Sequence, residues 1–177
     1  MVIEVCSTSK MTFPGAGVSA LVASDANMAQ IIKRLNCQTI SYDKMNQLRH
    51  VKFFGNLDGL KAHMKKHAAI MKPKFDMVID HLEKELGGKG IASWLDPNGG
   101  YFISLDVMDG CAKRVGELCK EAGVTLTTVG ATYPYGNDPH NSNIRIAPSL
   151  PPVAELDLAT QILCVSVKLA TIEKLVG

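Results

Sequence analysis

The chain has 177 residues, of which 46% are hydrophobic, and its 19 lysines and arginines face 17 acidic residues. This length allows one large domain or slightly more, with a core that needs no disulfide or metal. The near-neutral charge excludes a strongly basic nucleic-acid binder and an acidic disordered chain. No apolar run reaches the roughly 20 residues of a membrane helix, and the first residues lack a secretory signal pattern. Five widely spaced cysteines predict free thiols in a reducing cytosol.

The beginning of the chain predicts two strands and a helix. Residues 2–5 and 18–23 are rich in β-branched and apolar side chains, which favours strands. The segment between them contains a proline and two glycines and is predicted to be a loop. A helix capped by Ser24 or Asp25 is expected to run to about Leu35.

The next segment contains the clearest periodicity of the sequence. Residues 39–42 are expected to be extended, and a helical stretch follows that ends at Gly55. Apolar residues then recur at spacings of three and four over 57–82, which predicts a long helix closed by Gly87 and Gly88. Pro73 lies inside this pattern and predicts a kink or two abutting helices.

The remainder of the chain predicts a compact arrangement of strands and helices. In chain order we expect strands over 91–95 and 101–105 joined by a turn, a helix over 109–122, a strand over 124–128, a loop over 130–141, a strand over 143–147, and a last helix from Pro151 to about Val176. Helices and strands therefore alternate along the whole sequence. The predicted fold class is α/β or α+β.

Lys10 is the first candidate for chemistry, because no other charged residue lies between Glu4 and Asp25. An ammonium held between buried strands is costly, and this cost favours the neutral amine that a nucleophilic lysine needs. The alternative is that Lys10 points outward from a surface loop. Ser7 and Lys10 also spell the S-x-x-K pattern of serine acyl-transfer enzymes, but the proline and glycine that follow cannot continue the required helix.

Arg145 is the second candidate. It lies between Ile144 and Ile146 in a predicted strand, so its side chain points to the face opposite the two isoleucines. If that face lines a cleft, the guanidinium offers a two-pronged donor for a carboxylate. The alternative is an arginine on the solvated face of an edge strand.

Two further patterns are interpreted as structural. His63 and His67 are four residues apart on a helix and could bind a metal, but surrounding lysines favour a solvated face, and no metal is predicted. Cys111 and Cys119 are interpreted as core residues.

Three motifs resemble one enzyme family. Residues 7–17 (STSKMTFPGAG) are similar to the S-x-S-K…P-G loop of fold-type-I pyridoxal-phosphate aminotransferases, in an aspartate aminotransferase-like subgroup. Residues 97–102 (PNGGYF) resemble the P-x-G-G-[YF]-F turn of the family's small domain. Residues 133–139 (YPYGNDP) and 142–148 (SNIRIAP) resemble the segment that binds the substrate carboxylate. The motifs occur in the family's order.

The resemblance implies a role for five residues. Lys10 would be the Schiff-base lysine and the acid and base of the reaction. Ser7 and Ser9 would bind the phosphate of pyridoxal 5′-phosphate, and Arg145 would bind the substrate α-carboxylate. Asn143, two residues earlier on the same strand face, would line the substrate site.

The resemblance also implies an architecture. The chain is similar to the C-terminal part of a pyridoxal-phosphate-dependent transferase fold, with residues 1–56 ending the large cofactor domain and residues 57–177 forming an interdomain helix and a small α+β domain. The family's phosphate turn, stacking aromatic residue and pyridine-binding acid precede the lysine, so we expect the isolated chain to be incomplete and inactive. Related enzymes often carry an arginine seven or eight residues after the lysine, where this chain has Gly17 and Val18.

The function implied is transfer of an amino group between an amino acid and a 2-oxo acid. The subgroup that the motifs resemble suggests an aspartate-like amino acid. The family places this reaction in amino-acid metabolism, in a cytoplasmic homodimer without nucleic-acid or membrane partners. Two alternatives stay open. One is a non-catalytic aminotransferase-like effector module of a transcription regulator, and the other is an inactive relative retained as a dimer partner.

Overall fold

The computed structural model describes residues 2–177, which divide into two compact units on either side of the peptide bond between Ala69 and Ile70. In the first unit, strand β1 (Ile3–Ser7) pairs antiparallel with strand β2 (Ser19–Ala23), and Ile3 lies opposite Ala23. Both predicted strands are therefore confirmed. The domain boundary predicted after residue 56 stays a prediction.

Three helices follow the β1–β2 ribbon: α1 (Asp25–Gln38), α2 (Lys44–Phe54) and α3 (Leu57–Leu86). Helix α2 begins where the Asp43 carboxylate accepts a hydrogen bond from the backbone N–H of Asn46, at 2.8 Å. It ends at Gly55, whose φ of +69° suits a residue without a side chain. The helical stretch ending at Gly55 is thus confirmed, and Thr39 has the expected extended backbone, with φ −154° and ψ 145°, without pairing in a sheet.

Helix α3 is one element of 30 residues that continues through Pro73. Of the two expected outcomes, a pair of abutting helices is therefore wrong, and a kink at Pro73 stays a prediction. A proline removes a single backbone hydrogen bond, and burial of the part of the helix that follows it can offset that loss. On the C-terminal side, Val78, Leu82 and Leu86 are fully buried and hold the helix in the core of the second unit.

The second unit contains a three-stranded antiparallel sheet in the order β3 (Ala92–Trp94), β4 (Ile103–Val107) and β5 (Asn143–Ile146). The predicted hairpin is confirmed, and Trp94 pairs with Leu105 across it. The strand predicted over 124–128 is wrong, since these residues form no ladder. Their alternating pattern instead places Val124 and Leu126 against the core without any strand partner.

Two helices cover the sheet, α4 (Ala112–Glu121) and α5 (Val153–Val176). One face of the sheet is apolar and packs with these helices and the end of α3. The buried side chains of this core include Ile103, Leu105, Val107, Ile144, Ile146, Val115, Leu163 and Val167. The mixed α/β fold class is confirmed.

Ion pairs fasten α5 to its neighbours at the surface. Arg114 of α4 donates two hydrogen bonds to the Glu173 carboxylate, from Nε at 2.8 Å and from Nη2 at 3.1 Å. Lys168 Nζ lies 2.6 Å from Glu85 Oε2 of α3. The hydrogen bonds from Arg114 and Lys168 lower the pKa of Glu173 and of Glu85 respectively. Because these pairs face water, they set helix orientation more than they add stability.

All five cysteines are free thiols, as the sequence predicts. Cys111 and Cys119 are buried free thiols in the core, which confirms their structural interpretation. Cys164 is buried as well, and this burial raises the pKa of its thiol to about 11. Cys6 and Cys37 are exposed. No helix within residues 2–177 is long and apolar enough to cross a membrane.

Leu105 tests the central role of the sheet's apolar face. It is fully buried in the middle of β4, so Leu105→Ala should lower the free energy of unfolding by about 2–5 kcal/mol through lost burial and a residual cavity. Chemical denaturation measures this loss. The matched control is Leu150→Ala, since Leu150 is 91% exposed; equal losses in the two variants would contradict the assignment of the core.

Candidate functional site

Lys10 lies in a turn immediately after β1. The backbone N–H groups of Met11 and Thr12 both donate to the carbonyl of Thr8, at 2.9 Å each. Lys10 and strand β1 are exposed, and strand β2 contains half-buried residues but no buried one. The argument that burial between strands favours a neutral amine therefore does not apply to residues 2–177. The surface-loop placement describes its position here, and its chemical role stays a prediction.

The structure brings Ser7 and Ser9 together beside Lys10. The Ser7 hydroxyl donates to Ser9 Oγ at 3.0 Å and accepts from the backbone N–H of Ser9 at 3.2 Å. Both serines are exposed. Two hydroxyls and an ammonium on one short turn form a donor set suited to an anion.

Glycine at position 17 follows from the way the turn closes. Thr8 and Val18 are joined twice, by the Thr8 N–H to the Val18 carbonyl and by the Val18 N–H to the Thr8 hydroxyl, both at 2.8 Å. This closure brings Gly17 against Ser9. A Cβ at Gly17 would lie only 2.8 Å from Ser9 Cα and 2.9 Å from its backbone N. Position 17 therefore has no space for a side chain.

In the second unit, Arg145 and Asn143 lie on the face of the sheet opposite the core. Strand register places Ser104 across from Arg145 and Asp106 across from Asn143. Asn143 is buried and satisfied in all directions: Nδ2 donates to Ser104 Oγ at 2.9 Å and to Asp106 Oδ1 at 2.8 Å, and Oδ1 accepts from Thr132 Oγ1 at 2.7 Å. The two predicted residues thus share one polar face.

The guanidinium of Arg145 lies over the ring of Phe102, with Cζ 4.5 Å from the ring centroid. Such a stacked cation is attracted by the ring and is held in one orientation. Its Nε is buried without a hydrogen-bond acceptor among residues 2–177. An unmet buried donor is costly, and where it persists it often marks a place for a ligand.

Asp138 fixes the start of β5 and was missed from the sequence. Its Oδ2 accepts from the backbone N–H groups of Ser142 and Asn143, both at 2.8 Å, and its Oδ1 accepts from that of His140 at 3.0 Å. Desolvation would raise the pKa of Asp138, but these backbone hydrogen bonds outweigh it and lower the pKa. A single aspartate in a polar loop carries no sequence signal for this role.

The histidine pair on α3 has an aromatic environment. The rings of His63 and His67 are 4.3 Å apart, and His63 packs edge-on against Phe53 and Phe54. In the described part of the chain no group of three or more His, Cys, Asp or Glu side chains is placed to hold a metal ion.

The Lys10 turn belongs to the first unit and Arg145 to the second.

Comparison with known proteins identifies the family to which this chain belongs. The profile of the aspartate amino-transferase family matches residues 2–177. The aspartate aminotransferase of Corynebacterium glutamicum is 48% identical over 167 residues, which are 94% of this chain and 39% of that protein. An aminotransferase-related protein of Mycolicibacterium smegmatis is 48% identical over 171 residues, 97% of this chain and 40% of that protein.

A solved structure shows the same fold. The crystal structure of an aspartate transaminase from Corynebacterium glutamicum superposes with a TM-score of 0.92 at 47% identity, covering 96% of this chain and 40% of that one. The chain thus has the C-terminal portion of a fold-type-I aminotransferase. It belongs to the aspartate amino-transferase family, and it spans about 40% of the length of the relatives it matches.

The hydrogen bonds of Asp138 predict a pH-dependent contribution to stability. Because the folded pKa lies below the unfolded value near 3.9, the contribution is present above that value and is lost as the pH falls through the folded pKa. Asp138→Asn should cost about 1 kcal/mol at pH 7, a figure kept small by partial exposure.

Chemical denaturation of the wild type and of Asp138→Asn, at pH 7 and at pH 3, measures the difference in their free energies of unfolding. This difference should be smaller at pH 3. Asp96→Asn, in the exposed turn between β3 and β4, is the matched control for removing one charge. A cost for Asp138→Asn that is unchanged between the two pH values would contradict the assigned role of the carboxylate.

Proposed function

We propose that this chain supplies a lysine and a carboxylate-binding arginine to the active site of a pyridoxal-phosphate-dependent aminotransferase. The reaction is transfer of an amino group between an amino acid and a 2-oxo acid. The observation that carries the proposal is the turn in which Ser7, Ser9 and Lys10 lie together. The 48% identity to an enzyme named aspartate aminotransferase supports it and favours an aspartate-like amino acid.

The residues of the Lys10 turn fit pyridoxal 5′-phosphate in their chemistry. Lys10 offers an exposed primary amine for an aldehyde, and the hydroxyls of Ser7 and Ser9, 3.0 Å apart, offer donors for a phosphate. The bound cofactor would supply an electron sink for the charge that develops on the substrate's α-carbon. Gly17 and Val18 give no cation for the phosphate, so from this turn only Lys10 contributes positive charge.

Lys10 would act as the base and acid of the reaction. Its Nζ would take the proton from the substrate's α-carbon and later return a proton. Such a role requires a neutral amine at the moment of transfer and a fixed position of the nitrogen relative to the carbon. The two hydrogen bonds between Thr8 and Val18 close the base of the loop that carries this side chain and restrict its movement.

Arg145 would bind the α-carboxylate of the amino acid or 2-oxo acid. A guanidinium can donate two parallel hydrogen bonds to a carboxylate, which orients the substrate as well as binding it. Phe102 holds the guanidinium from one side, and the network around Asn143 keeps the strand rigid beside it. The side-chain amide of Asn143 is already bonded to Ser104, Asp106 and Thr132. Asn143 would therefore line the site and orient Arg145 by fixing strand β5, rather than by binding the substrate.

The wider setting is proposed on the family alone. It comprises a cytoplasmic homodimer acting in amino-acid metabolism, with the amino acid and the 2-oxo acid as its small-molecule partners. None of the comparisons favours the alternative of a transcription regulator's effector module.

The role of Lys10 is tested by chemical trapping. The Lys10 amine should condense with the aldehyde of pyridoxal phosphate and release water, and borohydride should then add hydride to the new C=N bond and leave a stable secondary amine. Peptide mass spectrometry of the full chain should find this adduct preferentially at Lys10. Lys10→Ala should abolish the preferred adduct, with Lys44→Ala, an exposed lysine on α2, as the control. Equal labelling of all exposed lysines would contradict the proposal.

The role of Arg145 is tested by carboxylate binding. Arg145→Lys keeps the positive charge but loses the two parallel N–H donors of the guanidinium. It should weaken binding of 2-oxoglutarate about tenfold, the loss expected for one charge-assisted hydrogen bond. Nuclear magnetic resonance titration of the labelled chain measures the dissociation constant. Arg114→Lys is the control, because Arg114 is bonded to Glu173; equal weakening in both variants would contradict the assignment.

A further inference from the structure

Helix α2 holds the Lys10 loop at two polar points. The side-chain amide of Asn46 donates to the carbonyl of Ala16 at 2.8 Å. His50 Nε2, one turn further along the helix, lies 2.9 Å from the hydroxyl of Thr12. Asn46 and Thr12 are both buried in the first unit, so water competes little for these contacts.

The hydrogen bonds of His50 define its protonated nitrogen. Its Nδ1 lies 2.9 Å from the backbone carbonyl of Asn46, which can only accept. Nδ1 therefore carries the proton, and in the neutral ring Nε2 accepts from the hydroxyl of Thr12. His50 thus meets two different requirements, a donor toward its own helix and an acceptor toward the loop.

Thr12 passes this restraint to the turn that carries Lys10. Because the single proton of the Thr12 hydroxyl is directed at His50, Thr12 Oγ1 accepts from the Thr8 hydroxyl, 3.1 Å away. The Thr8 hydroxyl in turn accepts from the backbone N–H of Val18 at 2.8 Å. A continuous series of contacts therefore runs from His50 through Thr12 and Thr8 to the closure of the loop.

Ring packing restrains the histidine itself. Phe13, next to Thr12, contacts the His50 ring edge-on with centroids 5.1 Å apart. Phe13 also packs against Phe53 at 5.1 Å and Phe54 at 5.6 Å. These apolar contacts hold the loop near the helix but are not directional enough to fix the rotation of the turn. The hydrogen bond from Thr12 to His50 supplies that direction.

We propose that His50 is a positioning residue for Lys10, acting through Thr12 and Thr8. This inference rests on the proposed role of Lys10. Between residues 9 and 12 the turn is held by two backbone hydrogen bonds that share the Thr8 carbonyl as acceptor, while the Thr8–Val18 contacts close the loop at its base. Two bonds to one acceptor leave the segment from Ser9 to Thr12 dependent on outside contacts to keep one conformation. The His50–Thr12 hydrogen bond reaches this segment directly, whereas the Asn46 amide holds Ala16 further along the loop.

Two substitutions at position 50 separate positioning from simple packing. His50→Leu keeps an apolar volume but offers no acceptor to Thr12. His50→Gln keeps an acceptor oxygen and a donor N–H, and so should restore the wild-type result. Thr12→Val removes the hydroxyl from the other side without changing the size of the side chain. His67→Leu, on α3, is the control for loss of a half-buried histidine.

The readouts are made on the full chain. Hydrogen exchange of the Thr12 and Val18 amides reports the rigidity of the loop, and borohydride trapping with pyridoxal phosphate reports the share of adduct at Lys10. His50→Leu should raise the exchange rates and lower the Lys10 share about three- to tenfold, the range expected for one hydrogen bond. His50→Gln and His67→Leu should stay near wild type.

The double variant His50→Leu/Thr12→Val decides whether the two residues act as one unit. It should be no worse than the worse single variant, because both remove the same contact. Additive losses, or a glutamine variant as poor as leucine, would overturn the inference. If His50→Leu fails to fold, Thr12→Val alone tests the inference. Unchanged amide exchange rates and an unchanged Lys10 share in that variant would also overturn the positioning role. A further outcome separates the two proposals: wild-type trapping shows no preference for Lys10 while His50→Leu still raises the exchange rates of the Thr12 and Val18 amides. That outcome would reject the proposed function of Lys10, and with it the positioning role of His50.

Discussion

The apolar face of the three-stranded sheet is the constraint on which the second unit depends. Residues of β4 alternate strictly, so burying Ile103, Leu105 and Val107 against the helices forces Ser104 and Asp106 to the other side. The neighbouring strand β5 is paired in register and obeys the same rule. Core burial thereby determines which side chains form the polar face, and a shift by one residue would turn Arg145 into the core.

Much of this could be predicted from the sequence. The period of three and four residues placed α3, the turn after Trp94 placed the hairpin, and Ile144 with Ile146 set the direction of Arg145. These are local patterns, and their physical cause lies within a few residues. The strand expected over 124–128 failed because a strand needs a partner as well as a pattern, and these residues pair with none of β3, β4 and β5.

The polar surroundings of the candidate site could not be predicted. Thr12 and His50 are 38 positions apart, Asn143 and Asp106 are 37 apart, and nothing local joins them. Their contacts follow from how helix α2 lies on its loop and from strand register. Roles for Ser7, Ser9, Lys10, Asn143 and Arg145 came from three family motifs, which identify residue types but not the neighbours that orient them.

The close approach of Gly17 to Ser9 has a consequence for how this loop can change over time. A single replacement of Gly17 by arginine would drive its Cβ into the Ser9 backbone, 2.8 Å away. Acquiring a cation at that position would require a second, simultaneous change in the turn beside Lys10. Position 18 already carries a Cβ, so a charged side chain there would not create the contact with Ser9 that excludes one at position 17.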